Sequence, residues 1–221
     1  MYKNWWKILG VALVGYAILG GFLFKVPRLN ILNETIRNLN FHVTMWFGMV
    51  ILLTTSMVYA IKYLKKGELH YDDKSVEFTK VGILFGVLGI LTGAFWANFT
   101  WGEPWSGDAK QNAAAICLLI YFAYLVLRNS LQDEQQKGRV SAVYNIFAYS
   151  AMIPLLFILP RLSPDSLHPG NGGNPGFNFY DLDSKLRIVF YPAIIGWTLL
   201  GAWIATLQIR IKAITRATED V

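Results

Sequence analysis

Residues 82–112 read GILFGVLGILTGAFWANFTWGEPWSGDAKQN. The first part is almost pure hydrocarbon. The second gathers Trp96, Trp101 and Trp105 among Gly, Pro, Asp and Lys, in a polar run rich in turn formers. About 20 mostly apolar residues cross the hydrocarbon core of a bilayer, so the stretch reads as a spanning helix followed by the loop that leaves it. Gly82, Gly86, Gly89 and Gly93 recur at intervals of four, three and four. They therefore line one helical face, where small side chains let a neighbouring helix approach closely. Packing is the first reading of that face, which also fixes the stem of the Trp-rich loop.

Working outward, this span covers about 81–99, and five comparable blocks lie at about 5–24, 43–64, 112–128, 140–160 and 188–209. The 221-residue chain is 54% hydrophobic and 15% charged, with a mean hydropathy of +0.38. A soluble domain of this length carries more charge, and β-barrel spans would alternate in short segments. The expectation is an all-α polytopic membrane protein, a six-transmembrane-helix bundle forming one domain over 1–221. Lys3 and Lys7 before the first block resemble a secretory signal, but the block is long and no small-x-small cleavage site follows, so it reads as a retained span. Cys117 is the single cysteine. The sequence thus offers no disulfide within the chain, no C-x-x-C-H haem-attachment motif and no thiolate cluster.

Six spans place both termini on one side. Of the 20 Lys and Arg, seven (Lys25, Arg28, Arg37, Lys110, Arg161, Lys185 and Arg187) fall on the other side, leaving thirteen with the termini. The excess puts the termini in the cytoplasm, and it explains the net charge of +6 without invoking nucleic acid. Three loops then face outward, near 25–42, 96–111 and 161–187. The middle one is the Trp-rich loop. His42 ends the first, in NLNFHVTMW (38–46), and His168 lies in the third, in SPDSLHPGNGGNPGFN (163–178). His70, in GELHYDDK (67–74), reads as part of a solvated inner loop.

Each feature has a plain reading. Trp anchors at the membrane–water boundary, and that account serves Trp5, Trp6, Trp46, Trp197 and Trp203. His42 can be a residue at a helix start and His168 a turn residue. What the plain readings leave over is the co-location of two histidines and a Trp cluster on one face. The outer loops hold Ser106, Ser163, Ser166 and Ser184 without a nucleophile motif. Two distant histidines with Asp108 form only a sparse zinc set, since such sites favour three or four closely spaced ligands. The spans lack the Asp, Glu and His that mark ion pathways and the paired in-span histidines of an intramembrane cytochrome b. A flat, apolar, anionic macrocycle suits the pattern: haem takes an aromatic floor and axial nitrogens, and Arg28, Arg37, Lys110, Arg161, Lys185 and Arg187 can meet its carboxylates. Two axial histidines fill the iron's coordination and suit holding or passing haem. Neutral imidazole is required, so retention should fall with pH. A metal-dependent hydrolase or transferase using His42, Asp108 and His168, and a transporter for another substrate, remain alternatives.

The stretch WGEPWSGDAK (101–110) resembles the tryptophan-rich WWD-type signature, W-G-x-W-W-x-W-D, of the haem-handling proteins of cytochrome c biogenesis. Trp101, Gly102, Trp105 and Asp108 match it, whereas Pro104 and Gly107 stand where the pattern has Trp, and Trp96 can supply a further ring. Six spans, the chain length and the flanking histidines resemble the smaller branch, haem exporter protein C (CcmC). The resemblance implies a bacterial inner-membrane, multi-pass protein that is a binding platform rather than an enzyme. It would hold non-covalent haem b at the periplasmic face with His42 and His168 as axial ligands. Trp96, Trp101, Gly102, Trp105, Asp108 and Lys110 would line the site. The implied partners are a membrane-anchored haem chaperone and an ABC-type transporter complex of cytochrome c maturation.

Overall fold

A computed structural model of the chain describes residues 4–28, 32–163, 166, 168 and 182–219. Lys3 and most of the 161–187 loop lie outside the described residues. Among those described, every regular element is helical, and six helices are long and apolar enough to cross a membrane, as expected. They are α1 (Trp5–Leu23), α2 (Leu39–Lys66), α3 (Leu69–Trp101), α4 (Ala109–Ser130), α5 (Glu134–Ile153) and α6 (Ser184–Glu219). A 3₁₀ turn, Asn33–Asn38, leads into α2. Pro154 has no N–H to continue the helical ladder, and there α5 passes into a π turn, Pro154–Ile158, and then a 3₁₀ turn, Leu159–Leu162. Pro192, by contrast, sits inside a continuous α6.

The helices outrun the apolar blocks. The 33 residues of α3 rise about 50 Å, against a hydrocarbon core of about 30 Å. The stretch 65–80, expected to be a solvated loop, is helix from Leu69 onward, and several of its charges face inward. Arg128 Nη1 and Nη2 donate to Asp72 Oδ1 and Oδ2 at 2.8 and 2.6 Å. Lys212 Nζ meets Asp73 Oδ1 at 2.7 Å, and Arg216 bonds the same carboxylate. Asp72, Asp73, Glu77 and Arg128 are buried. A hydropathy window sees those charges and stops, because their partners lie on α4 and α6. His70 is half-exposed beside Glu68.

Packing radiates from α2 and α3. His42, Trp46, Met49 and Leu53 on α2 lie opposite Gly93, Gly89, Gly86 and Gly82 on α3, one against one and antiparallel. A Cβ on those glycines would fall 2.5 Å from His42 Cε1, 2.8 Å from Trp46 Cε2, 2.7 Å from Met49 Sδ and 2.7 Å from Leu53 Cδ2. Both stripes step by four, three and four residues, so ridge meets groove along the crossing. Met49, Leu53, Phe85, Tyr121, Met152 and Ala205 join α2 to α6 in one buried core. A polar knot adds to it: Asn145 Nδ2 donates to Ser56 Oγ at 2.7 Å and Ser75 Oγ at 3.0 Å, tying α5 to α2 and α3. The first helix lies on α6, so close at Gly196 that a Cβ would come 2.9 Å from the Val14 nitrogen.

The groove predicts opposite effects for two alanine substitutions. Gly86→Ala must displace Leu118 and Met49, and should cost about 1–3 kcal/mol as overpacking. Gly15→Ala meets nothing within 4 Å and should be neutral or stabilising. Unfolding of the two variants in mixed micelles checks the contrast.

Candidate functional site

At the end of the bundle where α3 stops and α4 begins, the Trp-rich segment is less of a loop than its composition suggests. Residues 96–101 finish α3 and 109–111 start α4, leaving a connection of seven residues, 102–108. Gly102 closes α3 at φ 87° and Gly107 turns the chain at φ 73°, conformations that side chains with a Cβ resist. Gly107 is one of the two positions where the tryptophan-rich pattern has Trp and this chain does not, and its positive φ favours glycine there. The connection is pinned from α4. Ser106 N–H donates to Gln111 Oε1 at 3.0 Å, Gln111 Nε2 to Pro104 O at 3.3 Å, and Asn112 Nδ2 to Gly107 O at 2.7 Å.

Asp108 is the N-cap of α4 and accepts the Lys110 N–H at 2.8 Å, satisfying a backbone donor that the helix cannot. The same oxygen, Oδ1, stands 2.8 Å from His168 Nδ1. The Trp101 and His168 rings meet edge to face at 4.8 Å between centroids. The backbone N–H of His168 donates to Ser166 Oγ at 3.3 Å. One buried carboxylate thus starts a helix and holds an imidazole against an indole.

His42 lies in the first turn of α2 rather than in a loop. The helix begins before the apolar block because Asn38 Nδ2 donates to Thr92 O at 2.8 Å, anchoring its start to α3. His42 Nδ1 is 2.8 Å from Gly89 O. A carbonyl only accepts, so Nδ1 carries the proton and the lone pair sits on Nε2. The ring lies between two indoles, Trp46 at 6.3 Å and Trp96 at 5.9 Å, both nearly perpendicular to it. Trp96 is itself fixed by donating to Thr35 Oγ1 at 3.0 Å.

The structure therefore sets His42 beside Trp46 and Trp96, and His168 beside Trp101 and Asp108, two clusters linked through the last turns of α3. Lys110 contributes its backbone N–H to the cap, Gly102 its turn, and Trp105 sits on the connection, partly exposed. Arg37, a candidate partner for haem carboxylates, is engaged elsewhere: it donates to Gly21 O, Phe24 O and Glu34 across the end of α1. From sequence Trp46 reads as an interfacial anchor and Gly89 and Gly93 as a packing face, and nothing singles out Thr92 or Gln111. The shared spacing of His42 and Trp46 with the glycine stripe was the available signal. Among the described residues no three His, Cys, Asp or Glu side chains gather as metal ligands.

Burial pushes the His168 imidazole below its ordinary pKa, with Asp108 opposing the shift and Lys110 adding to it. The unfolded chain takes up the proton first as pH falls. The neutral ring's contribution is therefore intact above the ordinary imidazole value and is lost as pH drops through it toward the folded value. Asp108→Asn keeps a capping acceptor and should move His168 protonation to still lower pH, whereas Lys110→Gln should move it upward. The pH profile of diethylpyrocarbonate modification, read on the His168 peptide by mass spectrometry, checks both directions.

The sequence model of the family described as cytochrome c assembly protein matches residues 3–168, more than half of the chain. Curated relatives include the cytochrome c biogenesis protein CcsA of Pelargonium hortorum, 40% identical over 93 residues, which are 42% of this chain and 29% of that protein. CcsA of Synechococcus sp. (strain RCC307) is 40% identical over 79 residues, 36% of this chain and 25% of the relative. CcsA of Synechococcus sp. (strain CC9902) is 48% identical over 75 residues, 34% and 25% respectively. The alignments thus span less than a third of the length of these relatives.

Proposed function

The chain belongs to the cytochrome c assembly protein family, and on that footing we propose that it serves c-type cytochrome maturation by holding haem between His42 and His168 and presenting it for transfer. The observation that carries this reading is that each imidazole has an oxygen beside Nδ1: His42 donates to Gly89 O, which leaves Nε2 as its ligating nitrogen, and His168 Nδ1 stands at ion-pair distance, 2.8 Å, from Asp108 Oδ1 without hydrogen-bond geometry. An acceptor behind the far ring nitrogen fixes tautomer and orientation and raises ligand basicity. His42 and His168 would hold haem through ring nitrogens, and haem held by two imidazoles would be carried and passed on rather than used for oxygen chemistry.

The rest of the site fits the same group. Trp96 and Trp46 wall the His42 side and Trp101 walls the His168 side, giving apolar, aromatic surface to a flat ring system. Trp105 and Lys110 flank it from the connection and the start of α4. The thirteen-to-seven distribution of Lys and Arg supports placing this end on the periplasmic side of a bacterial inner membrane, with the termini in the cytoplasm. The tryptophan-rich segment supports haem handling of the haem exporter protein C kind, and the aligned relatives bear the CcsA name. In that branch the receiving partner is a membrane-anchored haem chaperone, with an ABC-type transporter complex assisting. Co-purification with those two partners supports the assignment, and a stable complex without them supports the CcsA branch.

Protein purified from haem-replete cells should show a Soret band. His42→Ala and His168→Ala should each lower occupancy or shift the ligation spectrum. Asp108→Ala, which removes the acceptor behind His168, should weaken haem retention by about 10- to 100-fold. Identical spectra in both histidine variants would remove the ligand assignment.

A further inference from the structure

The end of the bundle remote from His42 and His168 holds a second concave site. A cavity of about 880 Å³ lies between the start of α3, the ends of α4 and α6, and the start of α5. Five of its lining residues are cations, Lys80, Arg128, Lys137, Lys212 and Arg216, and one is an acid, Glu134. The other carboxylates that balance these cations sit behind the wall: Asp72, Asp73 and Glu77 are buried and do not line the cavity. Lys80, Lys137, Lys212 and Arg216 are partly exposed there, whereas Arg128 is buried against Asp72. The three lysines each contact one acid, Glu77, Glu134 and Asp73 respectively, and an ammonium has three donors. Donors remain for an anion.

The surroundings are those of a lipid site. Among the described residues α6 packs on α1, α2 and α3, with no comparable packing on α4 or α5. A cleft is thus left between α6 and the α4–α5 pair over the floor of α3. Leu69, Val76 and Leu125 line its apolar part, and Arg216 reaches across it to Glu134 at 3.0 Å. Basic pockets between spanning helices recruit anionic headgroups, and the volume lies in the range of small-ligand sites. We propose that this cavity binds the phosphate of an anionic phospholipid, with the adjoining cleft taking the start of an acyl chain. The site is independent of the haem reading and would couple the packing of α3, α4 and α6 to the lipid around the protein.

The test uses the full chain, delipidated in detergent and returned to dioleoylphosphatidylglycerol, dioleoylphosphatidylcholine or inorganic phosphate at equal concentration. Native mass spectrometry reads the retained adducts and thermal unfolding reads the stabilisation. Phosphatidylglycerol should be retained several-fold better than phosphatidylcholine and should raise the melting temperature more. Lys137→Gln with Lys212→Gln should cut that retention about fivefold per cation removed, and Lys137→Arg with Lys212→Arg should preserve it. Equal retention of the two lipids, or wild-type retention in the double Gln variant, overturns the proposal. Full stabilisation by inorganic phosphate alone overturns the lipid source. The comparison of the two lipids on the wild-type chain decides the matter even if the double Gln variant does not fold.

Discussion

The close crossing of α2 and α3 sets the geometry of everything else. Four glycines remove the side chains from one face of α3, and four α2 side chains, His42, Trp46, Met49 and Leu53, occupy the space. In a bilayer apolar burial gives little drive for helices to associate, so close van der Waals packing and buried hydrogen bonds must do it. The same crossing that joins the two helices presses the His42 ring against Gly93 and brings Nδ1 to the Gly89 carbonyl. The packing groove and the His42 side of the candidate site are one feature, and His42 is a knob in it.

Asp108 performs the corresponding task on the other side of the site. Its carboxylate begins α4 and contacts His168, so the helix start and the imidazole share one anchor. Gln111 and Asn112 hold the connection whose two glycines turn it. Trp101 then presents its ring to His168 from the last turn of α3. An aromatic cluster in a polar segment is stable here because the segment is mostly helix, and the few residues that are not helical have their backbone polar groups met from α4.

The opposite end works by different means. Charged residues that would be costly in hydrocarbon are paired across helices, Asp72 with Arg128 and Asp73 with Lys212 and Arg216. Burying such pairs is not in itself a gain in stability, but breaking one leaves an uncompensated charge. The pairs therefore fix the relative positions of α3, α4 and α6 beyond the apolar blocks. They also leave the cation side of the network facing a cavity.

Composition and block length alone determined that this chain is a six-span helical membrane protein, because the bilayer's thickness is written directly into the length of each apolar run. Spacing alone identified the glycine face, since helical period is a local property, and the placement of His42, His168 and the Trp segment at one end followed from counting spans. Tertiary structure decided what those residues touch. That Trp46 and Trp96 flank His42, that Gly93 yields its space to His42, that 69–80 is helix with inward charges, and that Asp108 both caps α4 and stands beside an imidazole all depend on how the helices pack. Hydropathy and periodicity are sums over neighbours in sequence, and a contact between α2 and α3 or between α4 and α6 contributes nothing to them.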